Sequence, residues 1–241
     1  MDLGIGGRVA LVTASSAGLG RASAEALAGE GAKVVVSARG RARLEETAEA
    51  IRDAGGEVVA VAADVASPEA PGELVAAALE AFGRLDIVVA NAGGPPAGRA
   101  LEVDDEGVRA AVETNALASI RLVREALPHM RAQRWGRICC ISSYSVVRPL
   151  PHLALSNLAR TGLLAWAQTA AADLAGEGSG ITLNLVCPGP HATDRMVELG
   201  GGGGAPMGDP GDFGRVVAFL CSQPAAFVNG AAVVVDGAQS I

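Results

Sequence analysis

The 241-residue chain holds no apolar run near the ~18 residues that cross a bilayer, so no membrane partner is expected. Its start, "MDLGIGGRVALVTAS", has no basic segment followed by a long apolar stretch, so a secretory leader is not expected either. Basic residues are in the minority. There are 19 Lys and Arg against 26 Asp and Glu, a formal charge of −7. Phosphate-backbone binding wants a basic face, so nucleic acid is excluded as an expected partner. The cysteines are Cys139, Cys140, Cys187 and Cys221, and none forms a CxxC pair. Three of them lie in or beside apolar runs. They read as buried reduced thiols of a cytoplasmic protein, with no metal site. No repeat at solenoid period and no Pro/Ser-rich linker divides the chain, so one domain over 1–241 is expected.

What is present is an alternation. Seven short runs of Val, Ile, Leu and Ala read as strands: 8–14, 32–38, 57–63, 85–91, 137–143, 181–187 and 231–237. They are apolar almost throughout, as in strands covered on both faces. Helix-like segments near 18–29, 41–54, 68–82, 104–132, 155–176 and 211–222 separate them. Such alternation predicts an α/β fold with a parallel sheet and helices on both faces. Five glycines, Gly200–Gly204, interrupt the pattern inside "LGGGGGAPMGDPG". That segment reads as a mobile lid near 194–211.

The first strand runs into "TASSAGLGRASAEALAGEG". Small residues at a strand-to-helix junction let backbone approach a phosphate, and the helix start offers free N–H groups. This is the chemistry of a dinucleotide pyrophosphate site, with Ala14, Ser16, Ala17, Gly18, Leu19 and Gly20 as its lining. The second strand ends "VVVSARG". A carboxylate there would suit a ribose 2′-hydroxyl; Arg39, with Arg41 and Arg43 behind it, suits a 2′-phosphate. NADP(H) is therefore the favoured cofactor. NAD(H) stays open, because Ala17 adds no second basic group.

With these residues in place the whole chain resembles the short-chain dehydrogenase/reductase family, in the branch of 3-oxoacyl-(acyl carrier protein) reductase-like proteins. The family's TGxxxGxG appears as "TASSAGLG", with Ala14 for the first glycine. The adenine-side pair is Asp64-Val65, and NNAG appears as "ANAG" with Asn91, Ala92 and Gly93. PGxxxT appears as Pro188-Gly189 to Thr193, and VDGG as "VDGA" at Val235 to Ala238. The resemblance implies a three-layer Rossmann fold, a doubly wound parallel sheet of about seven strands. It also implies a homotetramer or homodimer, a small carbonyl or alcohol substrate, and catalytic roles at Asn115 and Ser143.

The family's Tyr-x-x-x-Lys pair is missing. Counting from Ser143, Ser156 and Arg160 occupy those places, in "SNLAR". A serine hydroxyl has no accessible pKa near neutrality, and an arginine keeps its proton. Arg160 can hold ribose hydroxyls but cannot relay protons. A positioned general acid supplies ~10²–10⁴-fold; holding the hydride partners together supplies about 7–11 kcal/mol. The swap thus predicts weakened or rerouted carbonyl chemistry rather than an inert protein. Replacement acids are Tyr144, the sole tyrosine, and His152 and His191. Each also reads as a packing or loop residue. His129, Trp135 and Trp166 read as structural. Two other readings stand beside the reductase: a dinucleotide-binding pseudoenzyme, a sensor or scaffold, and a different reaction such as dehydration on the same fold.

Overall fold

A computed structural model describes residues 1–200 and 206–241. Most of the glycine run named above, and with it the core of the expected lid, lies outside the described residues. Seven strands form one parallel sheet: β1 (Val9–Thr13), β2 (Lys33–Ala38), β3 (Val58–Ala62), β4 (Ile87–Ala90), β5 (Gly136–Ile141), β6 (Ile181–Pro188) and β7 (Ala232–Val235). Their order is β3-β2-β1-β4-β5-β6-β7. Each expected strand is present, with its ends within two residues of the expected bounds; β5 begins one residue earlier and β6 ends one residue later.

The helices are α1 (Gly18–Gly29), α2 (Arg41–Asp53), α3 (Ala70–Phe82), α4 (Asp105–Val112), α5 (Ala118–Gln133), α6 (Ala154–Gly176), α7 (Asp194–Glu198) and α8 (Pro210–Leu220). Strand side chains alternate between two cores, since successive residues point to opposite faces. Val9 and Leu11 pack with Leu74 of α3, Val123 of α5 and Leu163 of α6. Ala10 and Val12 pack with Leu27 of α1, Ile51 of α2 and Phe213 of α8. The result is three layers, which explains why the strands carry no polar alternation.

Two departures from the expected pattern matter for the site. The helix expected over 104–132 is interrupted by a π-helical turn, Glu113–Leu117, between α4 and α5. Such turns insert an extra residue and break the regular ladder. A short helix, α7, follows β6 where only a loop was expected. Among the described residues no helix is long and apolar enough to cross a membrane. All four cysteines are free and buried.

Sheet order reverses direction between β1 and β4, because the chain builds outward to β3 on one side and to β7 on the other. In open parallel sheets, the crevice beyond the strand ends at this switch is where ligands bind.

Candidate active site

At that crevice the ends of β1 and β4 are tied by a reciprocal pair. The Thr13 hydroxyl donates to the Asn91 carbonyl (2.7 Å), and the Asn91 N–H donates to the Thr13 Oγ1 (2.9 Å). The Asn91 side-chain amide donates to the Ala14 carbonyl (3.2 Å). Ala14 holds φ +46, the left-handed region that favours glycine, at the position where the family pattern has one. Gly20, two residues into α1, lies directly beneath. A Cβ on Gly20 would sit 2.3 Å from the Ala14 oxygen and 2.7 Å from the Asn91 amide nitrogen. The turn is as tight as main-chain contact permits, and it presents the α1 start to the crevice.

Two clefts share the wall formed by Ala14, Ala17, Arg39, Gly93 and Gly94. One, about 680 Å³, is lined by Ser16, Asp64, Val65 and Asn115. The other, about 470 Å³, is lined by Gly18, Leu19, Arg43, Asn91, Ala92, Ser143, Ser156, Arg160, Pro188, Gly189 and Thr193, among others. Every residue expected at the site except Gly20 therefore lines one or both clefts, and Gly20 supports the turn from behind. Gly189 is wedged against β7, where a Cβ would lie 2.5 Å from that of Asp236. The Thr193 methyl would lie 3.4 Å from a Cβ on Gly18, so the start of α7 stands beside the glycine-rich turn.

Asn115 sits in the π-helical turn, 4% exposed, with neither its Oδ1 nor its Nδ2 paired among the described residues. A buried amide with both ends free is costly, so this group is poised for a ligand or water. β5 ends at Ile141. Ser143 is extended (φ −159) and caps a 3₁₀ turn, Tyr144–Val146, its Oγ accepting from the Ser145 N–H at 3.1 Å.

That turn settles the two adjacent polar residues. Ser143 faces the cleft. Tyr144 does not line it; burial, and after it the Asp236 carboxylate, raise its phenol above the usual value. His152 is exposed, at φ +61, with its carbonyl accepting from the Gly98 N–H. His191 does line the cleft, but it is 4% exposed and held on every side. Its Nδ1 lies 3.0 Å from the Gly189 carbonyl, its ring meets Phe213 edge-on at 5.2 Å, and its Nε2 faces Gly208.

Ser156 is 8% exposed in the first turn of α6 and opens onto the cleft. Arg160, one turn on, folds back toward the end of β5. Its Nη1 donates to the carbonyls of Ile141 (3.2 Å) and Ser142, while its Nε is buried and unpaired among the described residues. Burial, and after it the nearby Arg195 charge, pull its guanidinium down to about 10. Arg195 itself crosses the cleft mouth from α7, donating through Nη2 to the Pro95 carbonyl at 2.8 Å. Its role was not legible in the sequence, since its partner lies 100 residues away.

A tight glycine-rich turn, a switch-point cleft and the ordered motifs agree with the comparisons. A family model described as "Enoyl-(Acyl carrier protein) reductase" matches residues 13–238. The chain belongs to the short-chain dehydrogenase/reductase family. Among curated relatives of this short-chain dehydrogenase/reductase, L-rhamnose 1-dehydrogenase (NAD(P)(+)) of Azotobacter vinelandii is 36% identical, over 95% of each chain. Dehydrogenase/reductase SDR family member 4 of Sus scrofa is 31% identical over 95% of this chain and 86% of that one. The solved structure of L-sorbose reductase from Gluconobacter frateurii, complexed with NADPH and L-sorbose, superposes with a TM-score of 0.90 at 34% identity, covering 98% of both chains. Homologues of this kind make the chain an oxidoreductase of the family, with a nicotinamide dinucleotide as its cofactor class.

Proposed function

We propose that the protein uses NADP(H) to interconvert a small carbonyl compound and its alcohol. The observation that carries this is a pair of clefts sharing one wall at the Gly20-supported turn. Arg39 lines both; Asn115 lines one, and Arg43, Ser143, Ser156 and Arg160 line the other. The residues fit the cofactor: Gly20 leaves no room for a methyl, and both polar atoms of Asn115 are unpaired among the described residues. When bound, the nicotinamide supplies or accepts the hydride. This chain's residues do the rest. Ser143 and Ser156 offer hydroxyls to the substrate oxygen. Arg160 holds a positive charge behind them, favouring negative charge as it develops there.

The missing phenol leaves the proton to be supplied otherwise. Tyr144 and His152 lie off the cleft and His191 is locked in packing, so the proton comes from water passed through the Ser143 and Ser156 hydroxyls. The substrate is small and hydroxylated, a ketose or similar ketone. Support comes from the sugar-acting relatives and from a serine, Ser156, in place of the bulky phenol. The 3-oxoacyl class belongs in the same test panel. Catalytic roles for Asn115, Ser143, Ser156 and Arg160 are part of this reading. So are a single domain, supported by one sheet that draws its last strand from residues 232–235, and a cytoplasmic location. A homotetramer or homodimer is supported by the half-exposed edge strand β7 and by Phe219, 39% exposed on α8.

A second reading, a dinucleotide-binding protein without turnover, is favoured by one observation: Arg160 is spent on the β5 carbonyls. Steady-state NADPH consumption over a ketose and 3-oxoacyl panel separates the two. Slow, saturable turnover is expected, and Ser156→Tyr with Arg160→Lys should raise it roughly 10²-fold, the low end of a general acid's contribution. Tight NADPH binding with no turnover on any substrate would leave the second reading standing.

A further inference from the structure

Arg43 is one of two arginines at the end of the cleft where a 2′-phosphate would lie, yet it is not a free cation. Its Nη2 lies 2.6 Å from Oδ2 of Asp194, 151 residues away. The contact joins the start of α2 to the first residue of α7, and it holds the Arg43 guanidinium above its usual value. Both groups line the same cleft as the glycine-rich turn. Both are more than half exposed, at 58% and 69%, so solvent and incoming ligand reach the pair. Thr193, just before Asp194, stands over the glycine-rich turn, its methyl 3.4 Å from where a Cβ on Gly18 would be, so the carboxylate starts α7 beside that turn.

We propose that Asp194 is a specificity-determining residue: it competes with the 2′-phosphate for Arg43 and so limits how strongly the protein prefers NADP(H) over NAD(H). The inference rests on the dinucleotide reading above. A doubly charged phosphate entering beside Arg39 must either draw Arg43 away from Asp194, leaving that carboxylate unpaired nearby, or bind without the full Arg43 charge. Both routes cost binding that an unphosphorylated ribose does not lose. Because the pair is exposed, the cost is modest, and it is screened by salt.

The test is a double-substitution cycle in the full chain, reading dissociation constants for NADPH and NADH by calorimetry. Asp194→Asn should tighten NADPH roughly two- to fivefold, the range an exposed ion pair spans, and leave NADH unchanged. Arg43→Gln should weaken NADPH and erase the gain when combined with Asp194→Asn. At about 0.5 M salt the gain should shrink. Equal tightening of both dinucleotides, no tightening of NADPH, or a full gain surviving in the Arg43→Gln background would each overturn the proposal. Wild-type protein that binds neither dinucleotide would instead sink the reading on which it rests.

Discussion

Replacing Gly20 with alanine adds one methyl group near the start of α1, and intrinsic helix propensity alone would score it as a gain of up to ~1 kcal/mol. The structure reverses the sign. The new carbon would stand 2.3 Å from the Ala14 oxygen, 2.7 Å from the Asn91 Nδ2 and 3.0 Å from the Ala14 carbonyl carbon. Comfortable separation begins near 3.5 Å, so main chain on one side must retreat by roughly 1 Å. Overpacking of this kind costs about 1–3 kcal/mol. Loss of the Asn91–Ala14 hydrogen bond adds about 1 kcal/mol. After the helix gain, the net is a loss of about 1–3 kcal/mol. Gly162, inside α6, is the internal control: its Cβ would meet nothing within 4 Å, so Gly162→Ala should stabilise by about 0.5–1 kcal/mol. Thermal melts distinguish the two. For a chain of this size each kcal/mol moves Tm by roughly 2–4 °C, so Gly20→Ala should fall roughly 2–12 °C and Gly162→Ala should rise. A Gly20→Ala protein as stable as the parent would refute the close approach of the turn.

Three further outcomes follow from the same geometry. Ala14→Gly removes a left-handed strain of about 1–2 kcal/mol against an unfolded-state entropy cost of about 0.4–1 kcal/mol, so urea unfolding should show a small net gain. Asp86, fully buried, accepts from Arg8, from both Nε and Nη2 of Arg84, and from the Val9 N–H. Asp86→Ala should cost about 1–3 kcal/mol by equilibrium unfolding, because it leaves the buried Val9 N–H without its acceptor, while Arg8 and Arg84 keep contact with solvent. Burial pushes the Cys140 thiol up to about 12 and Cys187 up to about 11. Both stay protonated at pH 8, so a thiol reagent should label none of the four buried cysteines until denaturant is added.

The sheet was legible in the sequence because its strands are buried on both faces. "RVALVTA", "LDIVVAN" and "ITLNLVC" carry that signature without help from distant residues, and the tight turn after β1 announced itself through its small side chains. The π-helical turn at Glu113–Leu117 was not legible. Apolar periodicity runs through "AAVETNALASIRLV" without a proline or glycine to mark the inserted residue. The Tyr144 question turned on where a strand stops, and ends of elements are set by packing more than by local preference. Arg195–Pro95 and Arg43–Asp194 join residues at separations of 100 and 151. No local pattern encodes such partners; only the fold brings them to one cleft. Arg160 lines the cleft, and its turn toward the carbonyls at the end of β5 depends on side-chain geometry alone.

The central claim is that hydride moves in this cleft although the phenol is gone. The most direct measurement supplies the unaltered protein with NADPH carrying deuterium at the transferable position, together with a ketose. Mass spectrometry then reads the alcohol product. The account predicts one deuterium in the alcohol, formed only when the protein is present, and lost when Ser143 and Ser156 are both changed to alanine. NADPH that binds saturably yet leaves no deuterium in any product of the panel would contradict it.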